Sequence, residues 1–218
     1  MNCIITAGPT YEPLDEVRRL TNFSTGRLGS ELATYLSGKG HQVTLLIGQQ
    51  ATYRGPREAR KVETFTTNDD LRSRLYQLTA GPVDAVFHAA AVSDFTFGKV
   101  YQRSPNGSLA EYKAGKLSTR VDDLLVELLP TAKIIGQLRE WYPRAWLAGW
   151  KFEVDGDRSS VVAKAVAQLA ENSTNATIAN GRAYGPGFGL VTGPARCQHL
   201  PTTAALYEAL AEASVAAG

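Results

Sequence analysis

The segment "CIITAG" (residues 3–8) is an unbroken apolar run that ends in a glycine. Such a run must be covered on both faces, which places it inside a parallel sheet. The rest of the chain meets that demand. "TGRLGSELATYLSGKG" (25–40) puts Leu28, Leu32 and Leu36 on one helical face. Ser24 or Thr25 is placed to cap this helix, and Gly38 or Gly40 to close it. "HQVTLLIG" (41–48) and "RKVETF" (60–65) read as the next strands. "NDDLRSRLYQLTA" reads as a helix capped by Asn68, with acids in its first turn. "VDAVFHAAAV" (83–92) is a strand running into a small-residue turn. "RAWLAGWKFEV" (144–154) and "NATIANG" (175–181) are further strands, with "DRSSVVAKAVAQLAENS" as the helix between them. "TTAALYEALAEASVAA" is a C-terminal helix. This spacing predicts an α/β fold with a doubly wound, mostly parallel sheet and helices on both faces.

A length of 218 residues suits one such domain, here expected over 1–218. The net charge of +2 gives no bulk argument for a nucleic-acid partner. Two cysteines, Cys3 and Cys197, and three histidines form no CxxC or Cys/His cluster, so neither a disulfide framework nor a protein-built metal site is expected. The chain enters its first strand without a charged and then apolar leader, and it has no run of 18 apolar residues. A cytoplasmic protein without a membrane partner is expected.

Two stretches break the pattern. Residues 9–24 separate Gly8 from Gly26, and residues 95–120, "FTFGKVYQRSPNGSLAEYKAGKLSTR", lack an apolar period and read as a long flap loop. Loops this long are functional or disordered. In a doubly wound sheet both fall at strand carboxyl ends, where ligands bind. Gly26, Gly29, Ser24 and the helix amides make an anion site there. Arg18, Arg19, Arg27, Lys113, Lys116, Lys133 and Lys151 can supply positive charge near it. No Ser-His-Asp arrangement and no placed Cys nucleophile stands out. This inventory resembles phosphate handling, in which position and charge carry the chemistry.

A Rossmann-like dinucleotide site needs its glycines within a few residues of the first strand. Here the loop splits them. The second strand ends Gly48-Gln49-Gln50, with no acid for a ribose, and no Tyr-xxx-Lys pair is present. An NAD(P)-dependent oxidoreductase therefore fits the fold better than it fits the residues.

"ITAGPTYEPLDEVRRLTNFSTGRLGSELA" resembles the opening motif of the phosphopantothenoylcysteine synthetase (phosphopantothenate–cysteine ligase) family. "AAAVSDF" (89–95), "GKLS" (115–118), "GWKFEVD" (149–155) and "ATIANG" (176–181) resemble its later motifs in the same order, over roughly 2–192. The resemblance implies a Rossmann-like ligase of coenzyme A biosynthesis. It would join 4'-phosphopantothenate to L-cysteine through an acyl-nucleotidyl intermediate, with pyrophosphate release and Mg²⁺. It also implies a stand-alone form without the fused flavin-dependent decarboxylase, and a homodimer. A non-catalytic nucleotide-binding module is the other alternative, against which the retained Asn22, Arg18 and Lys116 speak.

The same resemblance implies residue roles. Asn22 would contact the acyl end and support conversion of the intermediate. Arg18 would reach the phosphopantothenate of a neighbouring subunit. Ser24, Gly26 and Gly29, with Gly8 beside them, would cradle phosphate. Ala90, Ala91 and Asp94 would contact substrate and nucleotide. Lys116, with Lys113 close by as the other candidate, would be the flap lysine that stabilises charge at the α-phosphate. Ala132, Lys133, Ile134, Ile135, Trp150 and Asn180 would bind the nucleotide. "KLST" replaces the Lys-x-Lys-Lys flap of the fused bacterial enzymes, and "AVAQLAENS" replaces their lysine-bearing helix. Both resemble the eukaryotic-type branch, which commonly uses ATP, whereas the fused branch prefers CTP. The co-substrate is therefore ATP or CTP. The Gly/Pro-containing segment 181–194 is a candidate interface.

Overall fold

A computed structural model describes residues 1–118, 120–121 and 123–216. In chain order the first half comprises β1 (Asn2–Ala7), β2 (Tyr11–Pro13), β3 (Arg19–Thr21), α1 (Arg27–Gly38), β4 (Gln42–Gly48), β5 (Lys61–Phe65), α2 (Asn68–Gln77) and β6 (Ala85–His88). Then come β7 (Phe95–Arg103), β8 (Leu109–Glu111), β9 (Asp123–Pro130), α3 (Ile134–Trp141), β10 (Trp146–Phe152), α4 (Arg158–Glu171), β11 (Ala176–Asn180), β12 (Phe188–Gly193), β13 (Arg196–Leu200) and α5 (Thr203–Val215).

The large sheet has the order β13-β12-β11-β10-β6-β1-β4-β5. From β5 to β11 neighbours pair in parallel, while β12 and β13 add on antiparallel. The chain starts at β1, moves outward to β4 and β5, then returns to the other flank of β1 with β6. The gap between β1 and β6 is thus the topological switch point, the place where ligands of such sheets bind.

The apolar runs are buried on both faces, as the opening strand requires. Ile5, Leu45 and Phe87 pack with Leu32 and Leu36 of α1 and Leu206 and Leu210 of α5. Ile4, Leu46 and Val86 point the other way and meet Leu71 and Leu75 of α2 and Leu138 of α3. Val161 and Ala165 of α4 cover Ala179 and Val191. Each fully buried aliphatic side chain contributes about 1.5–3 kcal/mol. α1 ends as the glycines suggest, with Gly40 in the left-handed region.

Several expectations need correction. Neither Ser24 nor Thr25 takes the cap position of α1, which Gly26 fills at φ 78°; Thr25 Oγ1 still accepts from the Arg27 N–H at 3.3 Å. Thr67 caps α2, its hydroxyl accepting from the Asp70 N–H, while Asn68 is drawn into the helix and buried. Residues 95–120 are not one long loop: β7 pairs antiparallel with β8 and β9, forming a three-stranded arm. Thr119 of that stretch, and Ala217 of the C-terminal helix expectation, lie outside the described residues. Residues 9–24 contain the β2–β3 hairpin. Segment 181–194 supplies β12, clamped between β11 and β13. α3, β9 and β13 had no counterpart in the sequence reading. No helix among the described residues is long and apolar enough to cross a membrane.

Candidate active site

A cavity of about 760 Å³ opens at the carboxyl edge of the parallel strands. Its walls come from the loop 22–26, the start of α1, the turn 88–94 after β6, segment 131–135, the ends of β10 and β11, and Gln168 of α4.

The α1 wall is shaped by missing side chains. A Cβ on Gly29 would lie 2.6 Å from Ala7 Cβ and 3.0 Å from the Thr6 carbonyl oxygen, so only glycine lets the helix start sit on β1. Gly26 provides the left-handed turn into it. Thr25 Oγ1 takes the Arg27 N–H, and the amides of Leu28 and Gly29, which have no acceptor among the described residues, are left to an anion.

The opposite wall is held by polar bonds between segments far apart in sequence. Asn22 Nδ2 donates to the Ala91 carbonyl at 3.0 Å, which also accepts from the Thr10 N–H at 3.2 Å. The Ser93 N–H donates to Thr10 Oγ1 at 2.8 Å, and Thr131 Oγ1 donates to the Ser93 carbonyl at 2.6 Å. Buried Asn68 donates to the Ala132 carbonyl at 3.1 Å, and its own N–H is held by Glu12 at 3.0 Å. Thr96 Oγ1 donates to the other Glu12 oxygen at 3.1 Å. Each of these bonds contributes about 1 kcal/mol, and leaving a buried partner unpaired costs more.

Three cations line the cavity, and each is paired with a carboxylate. Arg27 meets Glu31 at 2.6 Å, Lys133 meets Asp94 at 3.1 Å and Lys151 meets Glu153 at 3.2 Å. Burial pushes the Glu31 carboxyl up, but hydrogen bonds from Arg27, Tyr207 and Tyr53 outweigh it and leave it below the usual range. Lys164, with Lys151, holds Glu153 low as well. Among the described residues, Asp94 is the one carboxylate lining the cavity, and no group of three or more metal-ligating side chains occurs.

His88 sits on the cavity floor at the end of β6 and is buried. The Ala90 N–H donates to Thr6 Oγ1 at 3.1 Å, and that hydroxyl lies 2.9 Å from His88 Nδ1. The hydroxyl has a proton to give and a second lone pair to accept with, so the tautomer of His88 sets which of the two donates. Burial pushes the imidazole down to about 4, so it is neutral at pH 7. Trp150 Nε1 and Asn180 Oδ1 also line the cavity, buried and without a protein partner.

Of the sequence-derived site residues, the cavity gathers Asn22, Ser24, Gly26, Gly29, Ala90, Ala91, Asp94, Ala132, Lys133, Ile134, Ile135, Trp150 and Asn180. Gly8 lies behind Gly26, out of the lining. Arg18 and Lys116 do not reach the cavity either: Arg18 is tied to Asp15 and to the Leu117 carbonyl, and Lys116 is exposed on the segment after β8. Lys113 belongs to a separate open groove with Leu14, Glu111 and Leu117. Arg19 stacks over the Tyr11 ring at 4.9 Å. His88, Ser93, Thr131, Phe152 and Gln168 line the cavity without having been singled out. The strand-end position of His88 was a usable signal; Gln168, in mid-helix, carried none.

Comparison with known proteins gives the family and the fold. The family model described as "DNA/pantothenate metabolism flavoprotein C-terminal domain" matches residues 1–194. The coenzyme A biosynthesis bifunctional protein CoaBC of Thermococcus kodakarensis is 30% identical over 177 residues, covering 81% of this chain and 40% of that protein. The CoaBC of Methanocaldococcus jannaschii is 27% identical with the same coverage. The chain thus spans about two fifths of the length of these relatives. The crystal structure of the DNA/pantothenate metabolism flavoprotein from Streptococcus pneumoniae superposes with a TM-score of 0.84 at 24% identity, covering both chains fully. A Cab2 mutant in complex with phosphopantothenate-cysteine superposes at 0.73 with 20% identity, covering 99% of this chain and 85% of that one. The chain belongs to the DNA/pantothenate metabolism flavoprotein C-terminal domain family.

Proposed function

We propose that this chain is a phosphopantothenate–cysteine ligase of coenzyme A biosynthesis. The observation that carries the reading is the bond from Asn22 Nδ2 to the Ala91 carbonyl, which joins two sequence-derived substrate segments in the cavity that also holds the start of α1. The carboxylate of 4'-phosphopantothenate attacks the α-phosphate of a nucleoside triphosphate, and pyrophosphate leaves. The cysteine amine then attacks the acyl carbon, and the nucleoside monophosphate leaves with the former carboxylate oxygen.

The first-turn amides of α1 hold phosphate, and Arg27, Lys133 and Lys151 offset its charge by exchanging a carboxylate partner for it. Asn22 keeps one Nδ2 hydrogen and the Oδ1 lone pairs free, so it can donate to the acyl oxygen and accept from the incoming amine. The fit to Mg²⁺ is that of a nucleotide-borne ion, with Asp94 as the protein carboxylate within reach and phosphate oxygens as the remaining ligands. The ion would draw charge off the leaving pyrophosphate. Lys116 acts after a movement of its segment over the cavity.

The nucleotide is ATP or CTP, the chain works in the cytoplasm, and it acts as a homodimer. Supporting the dimer, Val17, Leu20 and Phe23 of the loop and Phe95, Leu109, Leu128 and Leu129 of the arm are exposed apolar side chains. A dimer is also what would let Arg18 serve a second cavity; a monomer by sedimentation at micromolar concentration would remove that role. Purified protein with phosphopantothenate, cysteine and Mg²⁺ is expected to release pyrophosphate with ATP or CTP. No release with either nucleotide, together with thermal stabilisation by NADPH, would overturn the ligase in favour of an oxidoreductase.

A further inference from the structure

The Asp15 carboxylate is only 1% exposed, and it takes three backbone N–H groups, from Val17 at 2.9 Å, Arg18 at 2.7 Å and Leu117 at 3.0 Å. The first two are the local bonds of an ordinary Asx turn. The third reaches a residue 102 positions along the chain. Arg18 closes the same knot, with Nη1 3.2 Å from Asp15 Oδ2 and Nη2 donating to the Leu117 carbonyl at 2.9 Å. The Glu16 N–H donates to the Gly115 carbonyl at 3.0 Å. The Leu117 side chain is buried, in contrast to the exposed residues before it. Both polar groups of the Leu117 peptide, a buried aliphatic side chain and a neighbouring carbonyl thus pin residues 115–117 to the loop 15–18. The bonds to the carboxylate hold Asp15 below the usual acid range, the Leu117 N–H foremost.

We propose that Asp15 is a positioning residue that clips the segment bearing Lys116 onto the loop bearing Arg18, so that the two cations are set as one unit. The functional part rests on the ligase reading, while the clip itself does not. Arg18 spends part of its guanidinium on Asp15 and Leu117 and keeps 43% of its side chain exposed. An anion taken up on that open edge pulls on the same group that holds the Leu117 peptide. Lys116, one residue away, then moves about a fixed anchor rather than on a free loop. This gives the long insertion after β1 a task beyond carrying Asn22: it supplies the hinge seat for the arm.

Amide exchange read by NMR, paired with steady-state pyrophosphate release, tests the proposal on the full chain. In the wild type the Leu117 N–H is expected to exchange at least about tenfold more slowly than the Lys116 N–H, which has no protein acceptor among the described residues. Asp15→Asn keeps the shape but removes the charge. It is expected to erase that protection and lower kcat about tenfold, while the nucleotide KM stays within about twofold. Asp69→Asn, on the exposed face of α2, is expected to change neither. Equal exchange at Leu117 and Lys116 in the wild type would overturn the clip, even if the variant fails to fold. Lost protection with unchanged kcat would overturn the positioning role. If the wild type releases no pyrophosphate, the ligase reading fails on its own, and the exchange rates still decide the clip.

Discussion

On one side of the cavity, Gly26 and Gly29 hold α1 so close to β1 that no side chain fits between them. On the other, the side chains of Asn22, Thr10, Thr131 and Asn68 join loop, turn and helix through hydrogen bonds to backbone groups. The first wall is an extension of the hydrophobic core, with α1 packed directly on β1. The second is a polar mesh, whose members can be lost one by one without opening the core. Stability should therefore live mainly in the first wall and turnover in the second.

The largest expected effect lies in the mesh. Asn22→Ala removes the amide proposed to face the reacting groups, and kcat is expected to fall about 10²- to 10³-fold in a pyrophosphate and product assay. Urea unfolding should move by less than about 1 kcal/mol, since Asn22 is exposed. A stability loss as large as that of a core variant would erase the distinction between the walls.

Gly29→Ala probes the other wall. The new methyl would overlap Ala7 and the Thr6 carbonyl, and a loss of about 1–3 kcal/mol is expected in urea unfolding. An unchanged midpoint would mean that α1 has room to move, and that its glycine serves only the ligand.

His88 joins the two walls and gives a pH signature. Its folded value near 4 lies below the ordinary 6.5, so as pH falls the unfolded chain takes up the proton first. Its contribution to stability is complete above about pH 6.5 and is lost on the way down to about 4, at up to about 1.4 kcal/mol per pH unit. His88→Gln is expected to flatten that part of the profile in unfolding experiments at pH 7 and pH 5. An unaltered slope would show that other groups carry the acid sensitivity.

The smallest effect concerns a residue far from the chemistry. Thr67→Ala removes the α2 cap and is expected to cost about 1 kcal/mol with no change in nucleotide KM.

The same contrast explains what could be read in advance. The apolar runs around Ile5, Leu45, Phe87, Ala148 and Ile178 disclosed the parallel sheet, because burial on both faces leaves a pattern along the chain. The switch-point cavity followed from strand order, and the ordered motifs named most of its lining. The mesh was not legible. Asn68 looked like a cap because Asn favours that place, yet its bonds to Ala132 and Ser93 are tertiary. The arm of β7, β8 and β9 is mostly half-buried or exposed, so it carried no clean apolar period. Ser24 and Thr25 lost the cap of α1 to Gly26, whose left-handed backbone has no signature beyond its being a glycine. Arg18 and Lys116 were recognised singly; their common tether, Asp15, depends on a contact that no local pattern encodes.

Under the proposed function, the carboxylate is activated by nucleotidyl transfer in the cavity between these walls. Phosphopantothenate labelled with ¹⁸O in its carboxylate tests it most directly, with the phosphorus products read by mass spectrometry after turnover with cysteine and ATP or CTP. One labelled oxygen is expected in the nucleoside monophosphate and none in pyrophosphate. Label in inorganic phosphate, or turnover that leaves the nucleoside monophosphate unlabelled, would contradict it.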